Sequence, residues 1–287
     1  KKQKPEEYFK KICDRVFQLQ NTKLKTHIDK KTLQKDIQPT FLIGFPRSGT
    51  TLIDTILRTH SKIDVVEEKP MLEKVIRYMG VKLDIKEKEN INNETKRVAN
   101  SIYFEELKKH IGEQTKNVLI DKLPLNILHL PTINQIFSQS KFILVLRHPL
   151  DCILSCWMQN FKLNGAMANM CELDRVVDFY CTAMNIYDLS KRRYGLQIHQ
   201  IRYEDLVNDL KSQISDLLSF LDLRWERDLS DFQKTASNRS FIETPSYSQV
   251  IKPIYKTSTN RWKHYEKYLN HYNKKLEKWL NEFGYEF

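Results

Sequence analysis

Arg47, Glu68, Lys122, Arg147 and Tyr203 each follow a stretch that reads as a strand, and the first lies in a loop spaced like a phosphate cradle. Residues 40–51 read Thr-Phe-Leu-Ile-Gly-Phe-Pro-Arg-Ser-Gly-Thr-Thr. Gly44 and Gly49 have the spacing of the loop G-x-x-x-x-G-K-[ST]; Thr51 fills the hydroxyl position and Thr50 stands where the lysine would be. A kinase or ATPase uses that lysine on the β- and γ-phosphates. Without it, backbone N–H groups and a helix N-terminus still attract an anion. Arg47 supplies charge through a planar fork suited to an oxyanion. The loop is therefore expected to bind a phosphate-like group other than the γ-phosphate of a nucleoside triphosphate.

Arg47, Lys122 and Arg147 together place three cations at strand ends. Unpaired charge is expensive to bury, so such a set expects a polyanion. Glu68 adds a general base near the loop. These parts suit in-line transfer of a charged group from a nucleotide to a hydroxyl.

The elements that would carry these residues follow from hydrophobic periodicity. Phe41-Leu42-Ile43, Ile63–Val66, Val118-Leu119-Ile120, Phe142–Leu146 and Ile198–Tyr203 read as strands. Helical spacing fills 5–20, a stretch from the loop to about Thr59, and 94–112, 125–137, 149–162, 171–192 and 204–221. Residues 21–38 read as a lysine-rich connector and 84–97 as a charged, Asn-rich surface loop. A C-terminal amphipathic helix is expected, with Trp262, Tyr265, Leu269, Tyr272, Leu276 and Trp279 on one face and lysines on the other. Strands alternating with helices give an α/β fold: a P-loop-like parallel β-sheet flanked by helices, with extra helices at both ends. Ligands in such sheets bind beyond the carboxyl ends of the strands, where the five residues named first would line one crevice.

Composition narrows the classes. The 287 residues suffice for one large α/β domain or two small ones. No apolar run approaches the ~18 residues of a membrane span. The five cysteines form no C-x-x-C pair, and no Cys/His cluster has zinc spacing, so buried thiols in a reducing compartment and no metal are expected. The net charge of +11 implies anionic partners. No nucleic-acid motif stands out, and nucleic acid is not expected as a partner. The chain begins Lys-Lys-Gln-Lys and reads as a fragment.

The ordered motifs carry a resemblance. Gly44–Thr51, Asp121-Lys-Leu-Pro-Leu-Asn126, Arg147 with Ser155 eight residues on, Leu154–Phe161, Arg202-Tyr-Glu-Asp-Leu206 and Ser246–Ile254 running to Arg261-Trp262 resemble the sulfotransferases that use 3′-phosphoadenosine 5′-phosphosulfate (PAPS). The likeness is closer to bacterial sulfotransferases with upstream tetratricopeptide repeats and to tyrosylprotein sulfotransferases. It covers about residues 38–287, dividing the chain into a helix and connector (1–38) and a sulfotransferase domain (39–287).

The resemblance implies that Arg47, Ser48, Gly49, Thr50 and Thr51 form the 5′-phosphosulfate loop and that Arg147 and Ser155 hold the 3′-phosphate. It implies that Tyr203 and the Ser246–Arg261 segment close over the nucleotide, with Arg261 a further phosphate partner. Lys122 and Ser246 fall near the bridging oxygen and the transferred sulfuryl, and Glu68 at the general base. Glu67 competes for that role; side chains alternate along a strand, so only one of the two should face the crevice, and the family register favours Glu68. Glu67 stands where members often carry glycine, and His148 where they often carry Asp, which puts the local pairing of Arg147 in question. His60 also matches a family position and reads as structural.

The resemblance further implies a bacterial, cytoplasmic enzyme. Its acceptor is a hydroxyl: tyrosine in an acidic peptide first, a glycan or small molecule second. A homodimer is compatible with the chain. Two other classes compete: a phosphotransferase with a degenerate loop, which the missing lysine disfavours, and a non-catalytic nucleotide-binding module, which has no need of Glu68 and Lys122.

Overall fold

The computed structural model describes residues 4–21, 38–82, 91–112, 116–226, 229, 232 and 259–286. Five parallel strands form one sheet in the order β2-β3-β1-β4-β5: β1 (Thr40–Gly44), β2 (Ile63–Glu67), β3 (Val118–Lys122), β4 (Lys141–Leu146) and β5 (Gln197–Arg202). The chain leaves central β1 toward β2 on one side, and after β3 it crosses to β4 on the other. The carboxyl end of β1 thus lies where the strand order reverses, the place such sheets keep for ligands.

Alternation along the strands feeds two cores. Phe41, Leu119, Phe142 and Leu144 face one side, where α1 (Pro5–Asn21), α3 (Met71–Lys82), α4 (Asn93–Ile111), α5 (Leu130–Ile136), α6 (Pro149–Trp157) and α7 (Leu173–Tyr194) pack. Leu42, Ile120, Ile143 and Val145 face the other, against α2 (Thr50–Arg58), α8 (Tyr203–Asn208) and α9 (Leu210–Phe220). The central strands β1 and β4 are apolar on both faces because helices cover both, whereas edge strand β5 carries Gln197, His199 and Gln200 between its isoleucines.

All five expected strands form. Four helical expectations need correction and one helix was not expected: 125–137 begins as a 3-10 helix (Pro124–His129) and becomes α-helical only at α5. The stretch 71–82 carried no expectation, yet Met71, Val75 and Met79 bury one stripe at helical spacing. The 149–162 helix stops at Trp157, after which Asn164 builds a turn by accepting the N–H groups of Ala166 (2.9 Å) and Met167 (2.8 Å). The 204–221 helix is two helices, because Asp209 leaves the helical conformation and its carboxylate accepts Ser212 N–H at 3.0 Å, capping α9. The C-terminal helix is continuous only as α10 (Asn273–Phe283); residues 261–272 are short turns preceded by Asn260 at φ 58°. Ser246, most of the Ser246–Arg261 segment, the connector at 22–37 and residues 83–90 lie outside the described residues.

Candidate active site

Two glycines shape the loop between β1 and α2. A Cβ on Gly44 would lie 2.7 Å from both the Ser48 hydroxyl and the Val145 carbonyl. Gly49 has φ +109°, and a Cβ there would meet the Tyr203 ring at 2.7 Å. Arg47 takes the left-handed conformation, φ 71°, which is unusual for a residue with a side chain. Three bonds hold it there. Its Nε donates to Ser155 Oγ (3.1 Å), its carbonyl accepts from Arg147 Nη1 (3.0 Å), and Cys156 Sγ donates to the Pro46 carbonyl at 3.2 Å. Burial pushes the Cys156 thiol up to about 12, so it stays a donor.

This cradle fits an anion. The N-terminus of α2 has no side-chain cap. The buried Ser48 hydroxyl has no hydrogen-bond partner among the described residues. Two guanidiniums are tied to the loop: Arg47, which belongs to it, and Arg147, which bonds its backbone.

Arg147, at the end of β4, lies 5.4 Å from the Tyr203 ring centre and 3.9 Å from the Asp151 carboxylate. Asp151 therefore supplies the pairing that His148 does not. Its other oxygen accepts the Trp262 N–H at 2.9 Å, docking the C-terminal segment onto α6. Arg261, next along, contacts Met158 Sδ at 3.8 Å. His148 stacks on Trp262 (4.7 Å, 14°), and its Nε2 lies 2.9 Å from the Glu286 carbonyl. Burial, with Lys263, Arg147 and Arg202 nearby, pulls its pKa down to about 4 against the Glu286 hydrogen bond.

The opposite wall is a corner of buried charge. Lys122 Nζ donates to Glu67 Oε1 at 3.0 Å and to Glu68 Oε1 at 2.7 Å. The lysine side chain is 0% exposed, Glu67 10% and Glu68 34%. Both carboxylates reach the Lys122 ammonium, although side chains alternate along a strand. Glu67 lies on the same sheet face as Ile63, Val65 and Lys122, as alternation requires. Glu68 lies past the strand at φ 50°, and its N–H donates to the Lys122 carbonyl at 2.8 Å, which swings its side chain back onto the same ammonium. Asp54 on α2, fully buried and bonded to Arg58, lies behind. Burial alone would push the Lys122 proton off; Glu68, Glu67 and Asp54 outweigh it and hold the pKa above the ordinary lysine value. Burial raises the Asp54 carboxyl, with Arg58 opposing.

On the opposite sheet face, Asp121 accepts from the Tyr103 hydroxyl (2.9 Å) and the Asn126 amide (3.4 Å); burial still lifts it to about 7. His60 is buried away from the loop. Its Nδ1 accepts the Lys62 N–H at 3.1 Å, so Nε2 carries the proton donated to the Arg224 carbonyl at 3.0 Å, a structural arrangement.

A profile of the Sulfotransferase family matches residues 39–227. The chain belongs to the Sulfotransferase family. An uncharacterized protein of Aquifex aeolicus (strain VF5) is 29% identical over 81% of this chain and 31% of its own length. A putative protein-tyrosine sulfotransferase of Caenorhabditis briggsae is 28% identical over 66% of this chain and 67% of its own. The chain thus spans only about a third of the Aquifex relative. The solved sulfotransferase STF9 of Mycobacterium avium shares the fold, with a TM-score of 0.54 at 10% identity over 98% of this chain and 82% of that one.

The sulfotransferase profile takes in the loop, both carboxylates, Lys122, Arg147, Ser155 and Tyr203, and stops short of Arg261. The structure gathers Arg47, Arg147, Ser155 and Tyr203 around the loop, with Lys122 and Glu68 in the corner. Sequence reasoning passed over Asp54, Asp151 and Cys156. Asp54 left a signal, an acid within Leu52-Ile53-Asp54-Thr55-Ile56-Leu57, where every neighbour is buried. Asp151 sits four residues after Arg147, one helical turn away. Cys156 left none. Among the described residues no group of three or more His, Cys, Asp or Glu could hold a metal ion, and no helix is long and apolar enough to cross a membrane.

Proposed function

We propose that this chain transfers a sulfuryl group from PAPS to a hydroxyl, with Glu68 as general base. The observation that carries the reading is the Lys122–Glu68 pair at 2.7 Å, beside a phosphate-type loop that has arginine and threonine in place of lysine. The loop backbone, Ser48, Thr50, Thr51 and Arg47 would hold the 5′-phosphosulfate; Arg147, Ser155 and Arg261 the 3′-phosphate; Tyr203 the nucleotide's flank. Bound PAPS supplies a sulfuryl group already attached to a good leaving phosphate.

In the step itself the acceptor oxygen bonds to sulfur as the bond from sulfur to the bridging oxygen breaks. The acceptor's proton goes to Glu68, and adenosine 3′,5′-bisphosphate departs with the bridging oxygen and its electron pair. Lys122 and Arg47 offset the charge that grows on that oxygen. Ser246 is proposed to assist at the sulfuryl group. A sulfuryl group carries less charge than a phosphoryl group, so magnesium is not required by this chemistry.

Tyrosine in an acidic peptide is the first acceptor proposed. The relative named as a putative protein-tyrosine sulfotransferase and the net charge of +11 support it. Adenosine 3′,5′-bisphosphate without magnesium should raise the melting temperature by on the order of 5 °C at a hundredfold excess over Kd. A shift with ATP and magnesium but none with the bisphosphate would overturn the assignment.

A further inference from the structure

We infer that Glu67 is a positioning residue: it is the resident counter-ion of Lys122, and it holds that ammonium while Glu68 is released to act as base. The inference rests on the sulfuryl-transfer reading and adds a second carboxylate to it, with a separate task. Three observations carry it. First, Glu67 and Lys122 are register partners on adjacent strands β2 and β3, and alternation puts both side chains on the α2 side of the sheet. Their 3.0 Å contact is built into the strands, whereas Glu68 reaches the same nitrogen only through its left-handed turn. Second, exposure divides the pair. Glu67 is 10% exposed and Glu68 34%, so only Glu68 opens toward an incoming hydroxyl.

Third, the charges require it. When Glu68 takes the acceptor's proton it becomes a neutral acid and no longer offsets Lys122. A fully buried ammonium left without a carboxylate is strongly destabilising. Among the described residues, the charged groups facing this corner include Glu67 and Glu68 from the end of β2 and Asp54 and Arg58 from α2. Asp54 already engages Arg58, which leaves Glu67 as the bonded carboxylate that stays ionised through the step. With Glu67 in place Lys122 remains fixed, and Glu68 is free to exchange its hydrogen bond for the acceptor's proton. Without it, Glu68 becomes the only carboxylate bonded to the ammonium; its ionised form is over-stabilised and it is a weaker base.

The test combines a double-mutant cycle with a pH profile on the full chain. Glu67→Gln and Glu68→Gln should each be tolerated in melting temperature, because one carboxylate still serves Lys122. The double variant should lose clearly more than the sum of the two. Additive losses would overturn the inference, and this readout does not depend on transfer activity. With PAPS and an acidic tyrosine peptide, Glu67→Gln should lower kcat ~10-fold or more and move the acid limb of kcat to lower pH, while affinity for adenosine 3′,5′-bisphosphate is kept. Glu67→Asp, which keeps the charge, should restore both the limb and kcat in part. An unmoved limb, or Glu67→Asp no better than Glu67→Gln, would make Glu67 merely structural. If Glu67→Gln does not fold, Glu67→Asp alone decides: a melting temperature and limb near those of the unsubstituted chain support the role, and loss of both overturns it. An unsubstituted chain that moves no sulfuryl group to any hydroxyl refutes the transfer reading instead, and the thermal cycle still judges Glu67.

Discussion

The loop after β1 and the Lys122 corner at the ends of β2 and β3 lie at the carboxyl edge of one sheet and are built on opposite principles. The loop at 44–51 is local. Two glycines fix its shape, and α6 and Arg147 hold it through single hydrogen bonds. The corner is assembled from β2, β3 and α2, and it concentrates Glu67, Glu68, Lys122, Asp54 and Arg58 in low exposure. A loop of the first kind can grip an anion whatever the chemistry. A corner of the second kind is costly unless its charges are used. In the proposed function, donor recognition is assigned to the loop and proton transfer to the corner.

Substitutions can break that division of labour. Glu68→Ala should lower kcat by ~10²–10⁴-fold while nucleotide affinity stays nearly intact, as read by steady-state kinetics beside titration with adenosine 3′,5′-bisphosphate. Equal loss of both would erase the distinction. Arg147→Ala should do the reverse, weakening nucleotide binding by ~10–100-fold with little change in turnover at saturation. Loss of turnover alone would remove Arg147 from the phosphate site. Gly49→Ala should destabilise by about 1–3 kcal/mol and weaken nucleotide binding, because it combines a left-handed φ with overlap onto Tyr203. A variant with unchanged melting temperature and affinity would show that the loop does not need this glycine.

A last effect, on stability alone, concerns how the loop side is walled. His148 sits neutral between Trp262 and Tyr285, its pKa lowered from 6.5 to about 4. Between those values the unfolded chain holds a proton that the folded chain lacks. Stability is therefore full above pH 6.5 and falls as pH drops toward 4, by on the order of 3 kcal/mol from this group. His148→Phe should flatten that stretch of the melting-temperature profile. A profile equally steep in the variant would assign the acid sensitivity to other groups.

The same contrast explains what the sequence made legible. The loop could be read because one short stretch carries its glycines, hydroxyls and arginine. The central strands β1 and β4 could be read because both of their faces are apolar. Lys122 and Glu68 were legible as strand-end residues, but their meeting was not, since residues 55 and 54 positions apart are joined only by strand pairing. The alternation rule failed at Glu68 because its positive φ ends the strand geometry there. Helix α3 was missed although its apolar stripe is regular. The break at Asp209 comes from a side chain capping the backbone, which hydrophobic spacing does not register.

Sulfuryl transfer with Glu68 as base is tested most directly by incubating the full chain with sulfate-labelled PAPS and panels of tyrosine peptides, glycans and small phenols, alongside Glu68→Ala, and identifying products by mass spectrometry. The predicted result is label on a hydroxyl oxygen of at least one acceptor, formed without magnesium and lost in Glu68→Ala. Label on no acceptor, or equal labelling by the Glu68→Ala variant, would contradict it.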